Sequence, residues 1–304
     1  MSRLLVTGAS GFIGRHVLQQ LDGTGHEVHA VASGPVWAGS AAVWHRADLL
    51  DATATDHLIR TVAPTHLLHL AWFAEPGAFW RSARNLDWLA SSALLIRAFR
   101  EAGGQRAVTA GSCAEYAGSA SPCHETGTPC RPTTLYGAAK NALQQVTTTY
   151  ASQEGFSSAW ARLFFIYGPG EAPAKLVASV VRSLLAGEEA RCTHGMQQRD
   201  FMYVADVAAA LIALLDSPVE GPVNIASGRA VAVRDLVGEI ARQLGASDRL
   251  RLGAFASSDD DPAVIVGDPS RLRTEVGWTT ERRMSEGIAQ TIEWWRRQPV
   301  VQSR

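Results

Sequence analysis

The chain has 304 residues, of which 46% are hydrophobic and 19% charged, and its formal net charge is -1. It is long enough for one large domain, or for a large domain with a smaller partner, and it carries no basic field that would draw it to nucleic acid. No apolar run approaches the roughly 18 residues of a membrane helix, and the four cysteines lack zinc-type pairing. Because the first strand leaves no room for a signal peptide, we expect a cytoplasmic protein without a metal.

The first half of the chain alternates short apolar runs with segments of helical length. In chain order the pattern predicts a strand over 4–7, a helix over 11–21, strands over 27–32 and 42–45, a helix over 55–61, a strand over 66–71, a helix over 86–102, a strand over 107–112, a helix over 136–152 and a strand over 158–165. Strands that alternate with helices form βαβ units, so we expect an α/β fold with a doubly wound, Rossmann-like parallel sheet.

This alternation loosens after the segment Tyr167-Gly168-Pro169-Gly170. Helices are predicted over 174–186, 234–244 and 284–297, with short strands between them, and the serines and aspartates of 257–261 are typical of a solvated loop. We expect residues 1–166 to form a dinucleotide-binding domain to which residues 197–228 return. Residues 167–304 are then mainly a smaller C-terminal substrate-binding lobe.

A glycine-rich turn lies between the first strand and the first helix, where residues 7–14 read TGASGFIG. Dinucleotide binding requires a tight turn, a backbone bare enough to touch the pyrophosphate and close packing of helix on strand. Gly8, Gly11 and Gly14 can meet these three needs, and the helix N-terminus offers free N–H groups to the phosphates. We therefore predict that the cofactor-binding residues of this turn are Gly8, Ser10, Gly11, Phe12, Ile13 and Gly14.

The end of the second predicted strand bears on the choice of cofactor. An acid at this point usually binds the ribose 2′-hydroxyl of NAD, but the chain has Ser33 followed by glycine. Ser33 can donate to a phosphate, and Arg15 or Arg46 is near enough in sequence to join it. The pattern favours NADP and leaves NAD possible. Asp48 and Leu49 follow the third strand and are expected beside the adenine, although a plain turn aspartate fits equally well.

A tyrosine and a lysine stand four residues apart at Tyr136 and Lys140, on one face of a predicted helix. An ammonium beside a phenol favours the phenolate, which lowers the tyrosine pKa toward neutrality. The same lysine can hold the nicotinamide ribose. Ser112, at the end of a predicted strand, can bind the same substrate oxygen as the tyrosine. We predict Ser112, Tyr136 and Lys140 as the catalytic group.

With these residues in hand, the chain resembles the extended short-chain dehydrogenase/reductases of the nucleotide-sugar epimerase/dehydratase family over nearly its whole length. The three glycines match that family's turn, and Ser112, Tyr136 and Lys140 match its catalytic triad. Further matching segments are His69-Leu70-Ala71, Tyr167-Gly168-Pro169-Gly170, Arg199-Asp200-Phe201 with Val204 and Asp206, and Asn224-Ile225.

The resemblance implies a nucleotide-sugar substrate and several of its contacts. Arg199 would bind the nucleotide diphosphate, and Lys175-Leu176 would lie beside the nucleotide. Leu70, Ala71, Trp72 and Ile166 join the expected cofactor site, and Cys113 and Phe165 join the expected substrate site with Ser112. Trp72 and Phe73 would suit a wall beside nicotinamide and sugar, but they could equally belong to the core.

Several positions depart from the family pattern and narrow the reaction. Cys113 and Ala114 stand where the 4,6-dehydratases carry an Asp-Glu pair, so we do not expect a dehydratase. Cys113 is interpreted as a small buried cysteine, with an unusual base near the sugar as the alternative. Glu115 is polar beside the site, and it either faces solvent or caps a loop.

Other family side chains are also missing. Trp88 occupies the position of the usual cofactor-side asparagine, with Asn85 one turn earlier. Phe165 replaces an asparagine common before the Tyr-Gly-Pro segment, and Ser257-Ser258 stand where an arginine is often found.

These features together favour an NDP-4-keto-6-deoxyhexose 4-ketoreductase that uses NADPH. The alternative is an epimerase with tightly bound NAD, and a third interpretation is a regulator that binds dinucleotide without turnover. The regulator need not keep both Tyr136 and Lys140, which this chain has. Apolar positions on more than one side of the helices over 86–102 and 136–152, together with the family's common mode of assembly, predict a homodimer.

Overall fold

The computed structural model describes residues 2–118, 122–256 and 261–299. Its strands are β1 Arg3–Thr7, β2 Glu27–Ala32, β3 Val43–Arg46, β4 His66–His69, β5 Arg106–Ser112, β6 Ser157–Leu163, β7 Phe165–Tyr167, β8 Ala190–Arg191, β9 Gln198–Arg199, β10 Phe201–Tyr203, β11 Gly221–Ile225, β12 Val231–Ala232, β13 Leu250–Arg251 and β14 Val264–Ile265. Its α-helices are α1 Phe12–Leu21, α2 Ala52–Val62, α3 Arg84–Glu101, α4 Leu135–Glu154, α5 Leu176–Leu185, α6 Val204–Asp216, α7 Val233–Gln243, α8 Ser270–Thr274 and α9 Met284–Arg296.

Seven strands form one parallel sheet in the order β11-β6-β5-β4-β1-β2-β3. The chain first runs outward from β1 to β3 and then returns to place β4 on the other side of β1. This reversal leaves a crevice at the carboxyl ends of β1 and β4, where open α/β sheets bind their ligands. The predicted glycine turn follows β1, so it lies in this crevice.

Helices cover both faces of the sheet, because alternate residues of each strand are apolar toward opposite sides. Leu4 and Val6 of β1 pack with α1 and α6, whereas Leu5 between them packs with α2 and α3. Helix α4 also lies on the second face, against α3. The predicted α/β, doubly wound, Rossmann-like architecture is therefore confirmed.

A second apolar cluster outside the sheet is built by helices α5, α7 and α9 with the short strands β8 and β10. Small sheets join these parts, pairing β10 with β7, β13 with β8, and β9 with β12 and β14. Strand β11 returns to the edge of the main sheet beside β6, and α6 packs on α1. The division of the chain at residue 166 stays a prediction.

Two predicted elements differ from the structure for identifiable reasons. The strand predicted over 158–165 is broken at Phe164, and β7 leaves the main sheet to pair with β10. The strand predicted over 66–71 ends at His69, because the backbone N–H groups of Leu70 and Ala71 donate to Thr7 Oγ1 at 3.1 and 3.2 Å. The second change fixes Leu70 and Ala71 beside Thr7, at the end of β1 where the glycine turn begins.

Candidate active site

The glycine turn after β1 is packed so tightly that side chains would not fit. Gly8 has a φ of +65°, and a Cβ there would lie 2.7 Å from the backbone nitrogen of Ala71. A Cβ on Gly14 would lie 2.3 Å from the Gly8 carbonyl oxygen. Gly11 donates its N–H to that same oxygen at 2.9 Å. The turn therefore needs glycine for backbone conformation and for close approach of helix and loop.

The N-terminus of α1 provides the donor set that a pyrophosphate requires. Gly11 is the N-cap residue, no side chain caps the helix, and the first turn, which includes Phe12 and Ile13, contains no acid. Free N–H groups and the positive end of the helix dipole are thus directed into the crevice. Arg15 donates from Nε to the Ser10 carbonyl at 2.7 Å, which braces the turn. These features fit a dinucleotide.

The edge of the crevice beside β2 carries the residues predicted to contact the adenosine half. Ser33 is exposed directly after β2, and Arg46 pairs in register with Ala32 at the end of β3. The guanidinium of Arg46 is exposed and has no ion-pair partner among the described residues. Asp48 accepts a hydrogen bond from the Leu50 N–H at 3.0 Å, as a turn aspartate does, and Leu49 is buried beneath it.

Ser112 and Tyr136 meet at the carboxyl end of β5. Ser112 is the last residue of β5, and Tyr136 lies in the first turn of α4, which is capped by Thr134. Burial raises the pKa of the Tyr136 phenol above its ordinary value, while a hydrogen bond with Ser112 opposes that rise. The phenol is therefore a protonated donor at neutral pH.

Lys140 lies one turn further along α4 and is almost fully buried. Its ammonium donates to the Ala110 carbonyl at 2.8 Å and lies 3.7 Å from the centroid of the Trp72 ring. Burial lowers its pKa to about 7, and the charge of Glu115 opposes that fall. The expectation that Lys140 lowers the Tyr136 pKa is wrong for this structure, because burial dominates the tyrosine and the lysine bonds elsewhere.

Aromatic rings enclose Tyr136 on the side away from β5. The Tyr136 ring lies 4.9 Å from Phe79, 5.7 Å from Trp80 and 6.5 Å from Trp72. The Tyr136 N–H also donates to the Trp80 carbonyl at 3.1 Å. Sequence reasoning found Trp72 but missed Phe79 and Trp80. The only signal was the aromatic content of the segment between β4 and α3.

The hydrogen bonds of the Asn85 side chain, at the start of α3, are all made within the protein. Asn85 is fully buried and accepts a hydrogen bond from Trp72 Nε1 at 2.9 Å, while its amide donates to the carbonyls of Phe79 and Ser82. Trp88 packs beside Trp72, with 6.2 Å between ring centroids. Asn85 therefore holds the aromatic wall in place and is not available to a cofactor.

A buried arginine marks the opposite side of the crevice. Arg199 is 3% exposed, and its guanidinium lies 5.4 Å from the Phe165 ring centroid. It donates to the Gln198 carbonyl and forms an ion pair with Asp261 at 2.5 Å. Its charge also acts on Cys113, whose thiol pKa is raised to about 12, mainly by burial. Of the serine and aspartate loop, residues 257–260, including Ser257-Ser258, lie outside the described residues.

Lys175 reaches the same crevice from the N-terminus of α5. Its ammonium lies 4.9 Å from the Phe79 ring centroid, so Phe79 lies between Lys175 and Tyr136. Burial lowers the Lys175 pKa, and Glu171 opposes that change. Glu171 itself is buried, its pKa is raised to about 8 by that burial, and its Oε2 has no hydrogen-bond partner among the described residues.

One of the two expectations for Glu115 is wrong and the other is met in part. Glu115 does not face solvent, because it is fully buried and paired with Arg162 at 2.7 Å. It does cap a short turn, since its carboxylate accepts the backbone N–H of Ser112.

The loop Tyr167-Gly168-Pro169-Gly170 is tied to the cofactor helix. His16 Nε2, on α1, is 2.8 Å from the Pro169 carbonyl oxygen. Ile166 of β7 packs against the core that contains α1. The loop after β7 is therefore anchored to the helix that follows the glycine turn.

The structure thus gathers the predicted residues into two neighbouring groups. One group consists of the glycine turn with Leu70, Ala71, Trp72 and Lys140. The other brings Ser112, Cys113 and Tyr136 together with Phe165, Lys175 and Arg199. Among the described residues no helix is long and apolar enough to cross a membrane.

Comparisons with known proteins agree with this geometry. Residues 4–226 match the model of the NAD dependent epimerase/dehydratase family. The chain belongs to this family. A dTDP-4-dehydro-6-deoxy-D-allose reductase from a Streptomyces species is 27% identical, over 96% of this chain and 96% of that protein.

Two solved structures of the same fold contain NAD. MoeE5 in complex with UDP-glucuronic acid and NAD is 30% identical, with a TM-score of 0.85 over 97% of this chain and 99% of that one. The UDP-glucose 4-epimerase of Thermus thermophilus in complex with NAD is 28% identical, with a TM-score of 0.86 over 97% of this chain and 99% of that one. The protein is therefore a nicotinamide-dependent enzyme of the extended short-chain dehydrogenase/reductase type.

Proposed function

We propose that the protein reduces the ketone of a nucleotide-activated keto-sugar, as an NDP-4-keto-6-deoxyhexose 4-ketoreductase. The bound nicotinamide would supply the hydride. Tyr136 would protonate the sugar oxygen, Ser112 would orient that oxygen, and Lys140 would hold the nicotinamide ribose. The 27% identical relative from Streptomyces, which is named as a dTDP-4-dehydro-6-deoxy-D-allose reductase, supports this choice.

The protonation state of the Tyr136 hydroxyl is the main support for this proposal. Its hydroxyl is hydrogen-bonded with Ser112, and burial raises its pKa, so it carries a proton at neutral pH. A reductase needs a proton donor at the ketone oxygen in its first and only chemical step. An epimerase also needs the ionised form of the same tyrosine, as the base of its oxidation step, whereas a reductase needs the protonated form alone.

The neighbours of Tyr136 argue against loss of water from the sugar. Elimination needs a general acid and a general base near the substrate, and the 4,6-dehydratases that the chain resembles use an Asp-Glu pair for these roles. The two positions after Ser112 hold Cys113 and Ala114, and the Cys113 thiol has a pKa of about 12. The next residue, Glu115, is locked in its ion pair with Arg162.

Two cations would hold the nucleotide half of the substrate. Arg199 would bind the diphosphate, since a planar guanidinium suits a phosphate oxygen pair, and Lys175 would lie beside it. The Phe165 ring under Arg199 restrains the guanidinium. The site therefore combines a charged end for the nucleotide with an aromatic end around Tyr136.

NADP is the cofactor that we propose. Ser33 carries no charge that would repel a 2′-phosphate, and Arg46 ends the neighbouring strand with a free guanidinium in the described part of the chain. NAD can also enter, because nothing at Ser33 excludes it.

We further propose a homodimer that pairs α3 and α4 with the same helices of a second copy. Leu86 and Leu94 on α3 and Val146 on α4 are exposed apolar side chains. A symmetric pair of helices would cover them. A monomeric mass by light scattering at micromolar concentration would refute this assembly.

The proposed reaction can be tested directly by mixing the protein with NADPH and a panel of dTDP-, GDP- and UDP-4-keto-6-deoxyhexoses. We expect stoichiometric loss of NADPH absorbance and transfer of deuterium from labelled NADPH to carbon 4 of the sugar. Conversion of a UDP-hexose to its epimer with no net change in added cofactor would instead identify an epimerase.

The variant that tests the role of Tyr136 is Tyr136→Phe, which removes only the hydroxyl. It should lose turnover by roughly a hundredfold or more while binding NADPH with nearly unchanged affinity. Near-normal turnover by this variant would refute the assigned role. Cofactor binding without any turnover on any keto-sugar would identify a regulator.

A further inference from the structure

A buried glutamate lies directly behind the catalytic serine. The Glu115 carboxylate accepts the Ser112 backbone N–H at 2.7 Å and the Trp160 indole N–H at 2.9 Å, and its other oxygen accepts Arg162 Nε at 2.7 Å. All of these groups are buried. A buried charge costs free energy unless it is paired and hydrogen-bonded. The Glu115 carboxylate therefore keeps all of these partners only while it holds this position.

The strand is shaped to admit this carboxylate. A Cβ on Gly111 would lie 2.0 Å from Trp160 Nε1 and 2.6 Å from Glu115 Oε1. Any larger residue at position 111 would therefore push the glutamate and the tryptophan away from β5. The missing side chain lets Glu115 reach the strand backbone at the catalytic serine itself.

The same turn also supports the helix that carries Tyr136. Residues Cys113–Glu115 form one turn of 3-10 helix. A Cβ on Gly137 would lie 2.3 Å from the Ala114 carbonyl oxygen, so the start of α4 rests directly on this turn. A shift of Glu115 would thus move the supports of Ser112 and Tyr136 together.

We propose that Glu115, paired with Arg162, is a positioning residue that fixes Ser112 relative to Tyr136 and that stabilises the Lys140 ammonium, which is bonded to the same strand at Ala110. The Glu115 side chain is fully buried and bonded to protein groups. This inference rests on the proposed catalytic roles of Ser112, Tyr136 and Lys140.

The Glu115 charge acts on two neighbouring cations, Lys140 and Arg162. Burial lowers the Lys140 pKa, and the Glu115 charge opposes that fall. The charge of Lys140 in turn adds to the lowering of the His69 pKa, so His69 is neutral beside it. Burial acts to lower the Arg162 pKa, but Glu115 reverses this and raises it.

Three further titratable groups are affected by the Glu115 charge. Burial is the main cause that raises the pKa of the Tyr136 phenol, and the charges of Cys113 and Glu115 add to that rise. Cys113 and Cys130 have thiol pKa values raised first by burial and then by other charges, Glu115 among them. Both thiols stay neutral at pH 7, so they do not compete with Glu115 for the Lys140 ammonium.

The lysine content of the sequence offers a selective probe of this effect. The chain contains 28 lysines and arginines, of which only Lys140 and Lys175 are lysines. Selective ¹³C labelling of lysine therefore gives two side-chain signals, and Lys175→Arg assigns them. The pH titration of the Lys140 signal reads its pKa without any need for a substrate, so the result does not depend on the proposed reaction.

We expect Glu115→Gln to lower the Lys140 pKa by roughly half a unit to one unit, because an attractive negative charge is removed. The Lys175 titration should stay where it is. With a keto-sugar substrate, kcat should fall roughly ten- to a hundredfold while the affinity for NADPH is kept.

The matched control is Glu125→Gln. Glu125 is also a buried glutamate beside Arg162, but Arg162 reaches its backbone carbonyl and not its carboxylate. This variant should leave the Lys140 titration unchanged. If Glu115→Gln leaves the Lys140 titration and kcat at their original values, or if both variants lower kcat equally without moving that titration, the proposal is overturned.

A second variant guards against loss of folding. Glu115→Gln combined with Arg162→Met removes both charges, so that no unpaired charge is left buried. We expect the double variant to lower kcat as Glu115→Gln does, because the Ser112 N–H loses its carboxylate acceptor. A folded double variant with an unchanged kcat would also overturn the proposal. Failure to reduce any keto-sugar, with the lysine shift present, would count against the reaction and not against Glu115.

Discussion

The ammonium of Lys140 lies over the ring of Trp72, 3.7 Å from its centroid, and Trp72 is held there by the hydrogen bond to Asn85. A cation over an indole face is stabilised by the ring's negative electrostatic potential. The ammonium is thus kept inside the crevice by an aromatic wall and one carbonyl. Burial lowers the Lys140 pKa to about 7, and the charge of Glu115 opposes that fall.

This arrangement predicts a pH dependence for catalysis. Lys140 loses its charge as the pH rises through about 7, so the fraction of enzyme with a charged ammonium falls above that pH. We expect kcat/KM, which reports the free enzyme, to fall about tenfold per pH unit well above this pKa.

The fall in kcat/KM above pH 7 forms the alkaline limb of the pH profile. Two lysine variants identify the side chain that causes this limb. Lys140→Met should lower activity and remove the limb, whereas Lys175→Arg should keep it, because arginine stays charged throughout. Loss of the limb in Lys175→Arg would assign it to Lys175 instead.

A buried histidine predicts how stability responds to acid. His69 lies between Thr7 Oγ1 and Ser92 Oγ, at 2.7 and 2.9 Å, and burial lowers its pKa from 6.5 to about 3. Between these values the unfolded chain binds a proton that the folded chain does not. The free energy of unfolding should therefore fall as the pH drops through this window, by about 1.4 kcal/mol per pH unit from this group.

Urea unfolding between pH 4 and 7 measures that slope. His69→Gln should reduce the slope, although it also costs stability at neutral pH. His57, an exposed histidine of α2, provides the control, and His57→Asn should leave the slope unchanged. An equal slope in wild type and His69→Gln would show that His69 is not responsible.

Local patterns in the sequence were sufficient to predict the backbone elements that line the crevice. The glycine turn, the strand that ends at Ser112 and the Tyr136–Lys140 spacing each lie within a few residues, and each predicts its own backbone geometry. The doubly wound parallel sheet followed from the alternation of strands and helices, whereas its seven strands are known from the structure.

The contacts that shape the site join residues far apart in the chain. Glu115 meets Arg162, 47 positions later, and Phe79 meets Tyr136, 57 positions later. No local pattern encodes such pairs. The break at Phe164 was also invisible, because Phe164, Phe165 and Ile166 continue an apolar run while the backbone changes sheets.

The ion pair between Arg199 and Asp261 predicts an effect on nucleotide affinity. Asp261 occupies the guanidinium that is proposed to bind the diphosphate, and its side chain is 41% exposed while that of Arg199 is 4% exposed. Two anions would compete for one buried cation, so Asp261→Asn should tighten the binding of dTDP, GDP or UDP, by roughly threefold to tenfold.

Isothermal titration calorimetry with each nucleoside diphosphate tests this competition. Asp235→Asn is the matched control, since Asp235 forms an exposed ion pair with Arg234 in the same lobe. Unchanged or weaker binding by Asp261→Asn for all three nucleotides would contradict a competing role for this carboxylate.

The choice between NADP and NAD is predicted to depend on Ser33 and Arg46. An aspartate at the end of β2 would accept ribose hydrogen bonds and repel a 2′-phosphate, and Ser33 does neither. Arg46, paired in register beside Ala32, can add a charge-assisted hydrogen bond of about 1.5–3 kcal/mol, or roughly ten- to a hundredfold in affinity. Fluorescence titration should show tighter binding of NADPH than of NADH, Ser33→Asp should reverse that order, and Arg46→Ala should weaken NADPH alone. Arg60→Ala, at an exposed arginine of α2 paired with Asp56, is the control and should change neither affinity. A clear preference of the unmodified protein for NADH would mean that Ser33 and Arg46 do not form a 2′-phosphate site.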